Sequence, residues 1–192
     1  MNVDLHCHTT ASDGLLSPSE LLQLAQQRNI SMLSITDHDT LDAYSQIDLV
    51  NLPLRLIPGI EFSSKWRKIG VHIVGLNIDL QHPVMIAGAA LQTKTRRERA
   101  EKIAEKLAGL GFKNTLDAAH ARALGGQIGR PHFAEHLVAI GAVKSSQQAF
   151  KKYLGAGKIA DIKAGWADIE TVTGWIKAAG GIAVLAHPSK YG

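Results

Sequence analysis

The sequence predicts an α/β fold, and three observations lead to it. Apolar stretches of strand length recur at residues 3–8, 31–36, 54–60, 71–76 and 182–186. Helical patterns separate several of them, as they do where strands are joined by helical crossovers. Each stretch also brings His, Asp or Glu to one of its ends or near it, and convergence of strand ends on one mouth would explain the recurrence.

In residues 3–8 strand alternation puts Asp4, His6 and His8 on one face and Leu5 and Cys7 on the other. Two imidazoles two residues apart on one face can close on a single metal ion, although such a pair on its own is often incidental. The turn-type cluster Ser12-Asp13-Gly14 follows and can swing the Asp13 carboxylate back over the strand's end. Nitrogen and oxygen donors gathered there suit zinc, manganese or iron. Cys7 points away from the histidines and reads as core packing.

Ser17-Pro18-Ser19-Glu20 is a capping-box pattern with proline at the first helical position, so a helix is expected to about Asn29. Residues 31–36 read as a buried strand that runs into Thr36-Asp37-His38-Asp39. Residues 41–50 read as a short helix, and 54–60 as a third strand ending at Glu61. Residues 71–76 form the fourth strand, with His72 near its start.

From His82-Pro83 to about Gly157 the pattern is helical, with helices expected over 84–110, 115–124, 131–140 and 146–154. In the first of these, Lys94, Arg96, Arg97, Arg99, Lys102 and Lys106 cluster, while Leu91, Ala100, Ile103, Ala104 and Leu107 are assigned to a core face. The cationic residues form either a solvated face or an anion-binding wall. Gly129-Arg130-Pro131-His132 opens a helix and sets an arginine and a histidine beside free backbone N–H groups, a position that suits phosphate. Asp168 is expected to cap a helix ended by Gly180-Gly181, and the fifth strand then ends at His187.

At 192 residues and 45% hydrophobic, the chain can bury the core of one domain carrying an insertion. A net charge of +4 slightly favours an anionic substrate, but the interspersed Asp and Glu fall short of a nucleic-acid-binding footprint. The single cysteine excludes an internal disulfide, and no apolar run is long enough to span a bilayer. The strand at 3–8 leaves no room for a signal peptide, so a soluble, cytoplasmic protein is expected.

Five motifs now stand in order: Asp4-Leu5-His6-x-His8-Thr9-x-x-Ser12-Asp13-Gly14, Thr36-Asp37-His38-Asp39, Pro58-Gly59-Ile60-Glu61, His72-Ile73-Val74-Gly75 and Ala186-His187-Pro188. Together they resemble the PHP (polymerase and histidinol phosphatase) superfamily of metal-dependent phosphoesterases. The likeness is nearest to the branch of 3',5'-nucleotide bisphosphatases and the 5'-to-3' exoribonuclease RNase AM. It continues through Arg96-Arg97-x-Arg99-Ala100 and Gly129-Arg130-Pro131-His132-Phe133.

The resemblance implies a distorted (β/α)7 barrel, with residues 1–80 as its N-terminal part, 81–157 as a helical insertion and 158–192 as the return to the barrel. It implies three divalent metals in the complete protein (Mn, Zn or Fe). His6 and His8 would hold one, Glu61 would bridge to a second completed by His72 and His132, and Asp13 and His38 would hold the third. Arg130, His187 and Arg97 or Arg99 would meet substrate phosphate, with His187 also the catalytic proton donor or else close to a metal. The substrate would be a phosphorylated nucleotide or the 5' end of short RNA. The family's last ligands come from an Asp-x-His motif beyond the Ala-His-Pro strand, and this sequence contains none there, so the barrel is expected to be incomplete at its C-terminus. The alternatives are a histidinol-phosphate-type phosphatase and a catalytically inactive metal-binding PHP module or fragment; without the Asp-x-His motif this 192-residue chain is itself expected to be inactive.

Overall fold

The computed structural model describes residues 2–52, 54–163 and 165–191. Its strands are β1 (Asn2–Cys7), β2 (Ile30–Ile35), β3 (Arg55–Leu56), β4 (Gly59–Trp66), β5 (Ile69–Leu76) and β6 (Ile182–Leu185). Its α-helices are α1 (Pro18–Gln27), α2 (Pro83–Ala108), α3 (Thr115–Ala123), α4 (Arg130–Ala139), α5 (Ser146–Ala149) and α6 (Ile169–Ala178). The mixed α/β expectation holds, and the chain divides into two compact units, residues 1–93 with 166–192, and residues 94–165.

The first unit carries two three-stranded sheets. In one, β1, β2 and β3 pair in parallel in that order. Between β1 and β2 runs α1, entered through the expected capping box: Glu20 N–H donates to Ser17 Oγ at 3.3 Å and Ser17 N–H to Glu20 Oε2 at 2.8 Å. The helix lays Leu22 and Ala25 against Leu33 and Ile35 of β2, with Ala43 and Tyr44 closing the same core. The Tyr44 hydroxyl donates to Ile35 O at 2.6 Å and accepts from Gly59 N–H at 2.7 Å, so its phenol ties β2 to the start of β4.

In the other sheet β4, β5 and β6 pair antiparallel in that order. The helix α6, capped by Asp168 Oδ1 on Thr171 N–H at 2.9 Å, covers it with Val172 and Ile176 packed on Ile60, Phe62 and Ile73. Gly75 makes room for this contact, since a Cβ there would sit 2.9 Å from Ile176 Cγ1. The sheets meet along the segment after β2, where Asp39 N–H donates to Glu61 O at 3.0 Å and Glu61 N–H to Asp37 O at 3.1 Å.

Helices are the only regular elements among the second unit's described residues, joined by turns and followed by an irregular stretch after Leu154. Ile103 and Leu107 of α2, Phe133 and Leu137 of α4, and Leu154 form its core. The helix expected over 146–154 is instead the short α5 followed by a turn of π-helix, Phe150–Leu154.

Three expectations need correction. The third strand is not one piece over 54–60: it breaks at Pro58, which has no N–H for a ladder, and β4 then runs on to Trp66. As a result Glu61 and His72 lie inside antiparallel strands, not at the C-terminal ends of parallel ones. Leu91, assigned to a core face, is 51% exposed, while Arg96 of the cationic group is 5% exposed.

Candidate metal centre

The centre is organised on the Glu61 carboxylate, which is 1% exposed. In the β4–β5 register Glu61 pairs with Val74 and Ser63 with His72, so Glu61 and His72 are diagonal neighbours on one face. Their side chains meet at 2.9 Å, His72 Nδ1 to Glu61 Oε1. His187 Nε2 approaches the same oxygen at 3.0 Å. The other oxygen, Oε2, lies 3.0 Å from His6 Nε2, 3.1 Å from His8 Nε2 and 3.3 Å from His38 Nδ1.

Five imidazoles therefore enclose one carboxylate. Their rings follow one another around it, with centroids 5.3 Å apart for His6 and His8, 4.6 Å for His8 and His38, 4.9 Å for His38 and His72, and 5.1 Å for His72 and His187. Burial alone would raise the Glu61 acid, but hydrogen bonds from His6, His72 and His8 and the nearby His38 hold it far below the usual carboxylate range. For His8, burial works against protonation, while the Glu61 hydrogen bond and the Asp13 carboxylate work for it, and the net shift is upward. His187 moves the other way, lowered by burial and then by Lys190.

Asp13 stands behind this ring, its two oxygens 3.7 Å from His8 Nδ1 and 3.8 Å from His38 Nε2. Three sets of donors are near enough to share an ion: His6, His8 and Glu61; His8, Asp13 and His38; and His38, Glu61 and His72. In each, the donor atoms lie within 4.8 Å of one another.

The loop that carries Asp13 is held by Asp37, itself 1% exposed. Asp37 accepts from Thr9 N–H at 2.7 Å, Thr9 Oγ1 at 2.6 Å and Ser12 Oγ at 2.5 Å. Gly14 lets the loop close, because a Cβ there would run into the His8 carbonyl. Beyond β6, His187 adopts a left-handed backbone (φ 32°), and the Tyr191 hydroxyl stands 3.1 Å from its Nδ1. Burial pushes the Tyr191 hydroxyl up, so it stays protonated.

The residues expected at the centre divide between the units. His6, His8, Asp13, His38, Glu61, His72 and His187 come together in the first unit, while Arg97, Arg99, Arg130 and His132 belong to the second. Within that second unit Arg130 donates to Leu154 O at 3.1 Å and Arg99 to Ile162 O at 3.1 Å, whereas Arg97 is exposed. Burial lowers the Arg130 guanidinium and Asp161 opposes the shift. Gly129 N–H donates to His132 Nδ1 at 3.0 Å, closing the first turn of α4. With Nδ1 accepting, the neutral ring carries its proton on Nε2, so a metal role through Nε2 would require this bond to open.

Sequence reasoning missed Asp37 and Tyr191. The Thr36-Asp37-His38-Asp39 cluster marks Asp37 without giving it a role, and Tyr191 stands four positions after His187 with no motif that ties its phenol to that ring.

The family described as PHP domain matches residues 4–179. The chain is 47% identical over 190 residues to a 5'-3' exoribonuclease of Haemophilus influenzae, covering 98% of this chain and 69% of that protein. It is 38% identical over 193 residues to a 3',5'-nucleoside bisphosphate phosphatase of Chromobacterium violaceum, covering 99% of this chain and 68% of that one. A solved Chromobacterium violaceum structure, described as an amidohydrolase with bound sulfate and no metal, superposes with a TM-score of 0.92 at 38% identity over 99% of this chain and 68% of its own. The chain thus spans about two thirds of the length of these proteins.

Proposed function

The chain belongs to the PHP domain family, and from that premise we propose that it acts as a metal-dependent phosphoesterase on nucleotides such as 3',5'-bisphosphates, or on the 5' end of short RNA. The observation that carries this reading is the Glu61 carboxylate enclosed by His6, His8, His38, His72 and His187. The phosphatase and exoribonuclease relatives support the substrate class. The high TM-score and the parallel β1-β2-β3 sheet support a distorted barrel of the (β/α)7 kind, with the antiparallel β4-β5-β6 sheet as its distortion.

The donor set fits divalent ions. Imidazole nitrogens and carboxylate oxygens suit zinc, manganese and iron, and a carboxylate with two usable oxygens can serve neighbouring ions. When bound, such ions supply Lewis acidity, acidifying water near neutral pH and neutralising phosphoryl charge.

The chain's own residues do the rest. Glu61, kept ionised, offers both oxygens to the centre, and the β4–β5 ladder fixes the spacing between it and His72. Asp37 holds the loop that presents Asp13. His187 projects Nε2 toward the Glu61 oxygens, where it can bind a phosphoryl oxygen or give a proton to the leaving oxygen. Arg130, Arg97 and Arg99 are offered for phosphate because a guanidinium binds it through two parallel N–H groups. The single cysteine and the nucleotide substrate support a cytoplasmic location; no described helix is long and apolar enough to cross a membrane.

The test is release of inorganic phosphate from 3',5'-bisphosphorylated adenosine and of nucleoside monophosphate from a 5'-phosphorylated oligoribonucleotide, with histidinol phosphate as competitor and manganese present. His8→Ala is expected to lose nearly all turnover on the first two. Normal turnover in that variant, or preference for histidinol phosphate, overturns the reading.

A further inference from the structure

Where β6 leaves its sheet, one backbone group of β5 needs a substitute partner. His72 O still accepts from Ala186 N–H at 3.0 Å, but at His187 the chain turns into the left-handed region and the ladder stops. The backbone N–H of His72 is instead taken by the Tyr191 hydroxyl at 2.9 Å, across 119 positions of sequence. A backbone donor shielded from water is almost always satisfied, and at this part-buried position a phenol does what a carbonyl would have done.

The same hydroxyl stands 3.1 Å from His187 Nδ1. His187 therefore has both ring nitrogens engaged, Nδ1 by Tyr191 and Nε2 by Glu61 Oε1 at 3.0 Å. Two partners on opposite sides of the ring fix its plane and rotamer. The ring is held in this way at a non-glycine residue with a left-handed backbone (φ 32°), a conformation that persists where surrounding contacts fix it. His72 Nδ1 touches the same Glu61 oxygen, so a single hydroxyl is bonded to the backbone of one of its histidine neighbours and the ring of the other.

We propose that Tyr191 is a positioning residue of the centre: its hydroxyl, braced on the His72 backbone, sets the orientation in which His187 presents Nε2 to the Glu61 carboxylate. The proposal rests on the phosphoesterase reading for its catalytic consequence, but not for its geometry. A neighbour that orients an imidazole at such a site is worth roughly tenfold to hundredfold in activity.

The experiment is a double-substitution cycle in the full chain with Tyr191→Phe and His187→Gln, read as kcat on 3',5'-bisphosphorylated adenosine per folded protein. Tyr191→Phe alone is expected to lower kcat roughly tenfold to hundredfold and to have no further effect beside His187→Gln, because it acts through that ring. An equal loss in both backgrounds would mean that the hydroxyl only braces the fold, and no loss would mean that it does nothing; either overturns the proposal. A second readout needs no turnover. In 15N-labelled, metal-free protein, Tyr191→Phe should move the His187 ring signals while leaving those of His8 in place. Unmoved His187 signals also overturn the proposal. Moved signals without any phosphatase activity would sustain the orientation and sink the phosphoesterase reading instead.

Discussion

Thr9 and Asp37, 28 positions apart, are joined twice: the Asp37 carboxylate accepts the Thr9 backbone N–H at 2.7 Å and the Thr9 hydroxyl at 2.6 Å. With the Ser12 hydroxyl on the same carboxylate at 2.5 Å, these bonds turn the chain after β1 back over the strand's end, where Asp13 faces His8 and His38.

Asp37→Ala leaves three buried donors without their acceptor. At about 1.5–3 kcal/mol for a hydrogen bond to a charged group, with partial recovery by water, the cost is expected at roughly 2–4 kcal/mol. Urea unfolding measures it. The variant should also lose ions from the set formed by His8, Asp13 and His38 before the set formed by His6, His8 and Glu61. Wild-type stability with wild-type metal content would show that the Asp37 bonds do not hold the loop.

Tyr44 carries a pH signature. Burial is the largest influence on its hydroxyl and pushes it well above its ordinary value of 10.0, outweighing the Gly59 N–H that would lower it. In the unfolded chain the phenol ionises near that ordinary value, whereas in the fold it keeps its proton. The stability it contributes is therefore complete below pH 10 and is lost progressively as pH rises above it. Tyr44→Phe should cost about 1–3 kcal/mol at neutral pH, through the unpaired Gly59 N–H, and should flatten the alkaline decline. Denaturant midpoints measured from neutral pH into the alkaline range check both. An equally steep decline in the variant would remove Tyr44 as its source.

What the sequence made legible follows from locality. His6 and His8 share a face because strand alternation has period 2, and Ser17 with Glu20 announces the start of α1 because the capping box spans three residues. The extension of β4 was not legible. Its hairpin to β5 turns through Arg67 at φ 55°, where a glycine or asparagine would have signalled the turn, and residues 59–64 are buried on both faces with no alternation to read. The sequence pattern therefore leaves Glu61 at the apparent end of a strand, and only the β4–β5 register reveals its diagonal contact with His72. The ligand-type residues themselves stood out, since His38, Glu61 and His187 each follow or enter a strand-like run. Asp37 holds Thr9 and Ser12 across 28 and 25 positions, and Tyr191 takes the His72 N–H across 119; no short pattern encodes such bonds, and the four-residue step from His187 to Tyr191 carries no motif of its own.

The proposed function turns on Glu61 as the carboxylate that holds the ions. The most direct measurement is manganese content by elemental analysis after exhaustive dialysis, comparing the full chain with its Glu61→Gln variant. The amide keeps the shape and removes the charge that the five imidazoles enclose. The wild-type protein is expected to retain manganese, and Glu61→Gln to lose most of it while remaining folded by circular dichroism. Equal manganese in the two proteins, or none in the wild type, would contradict that role.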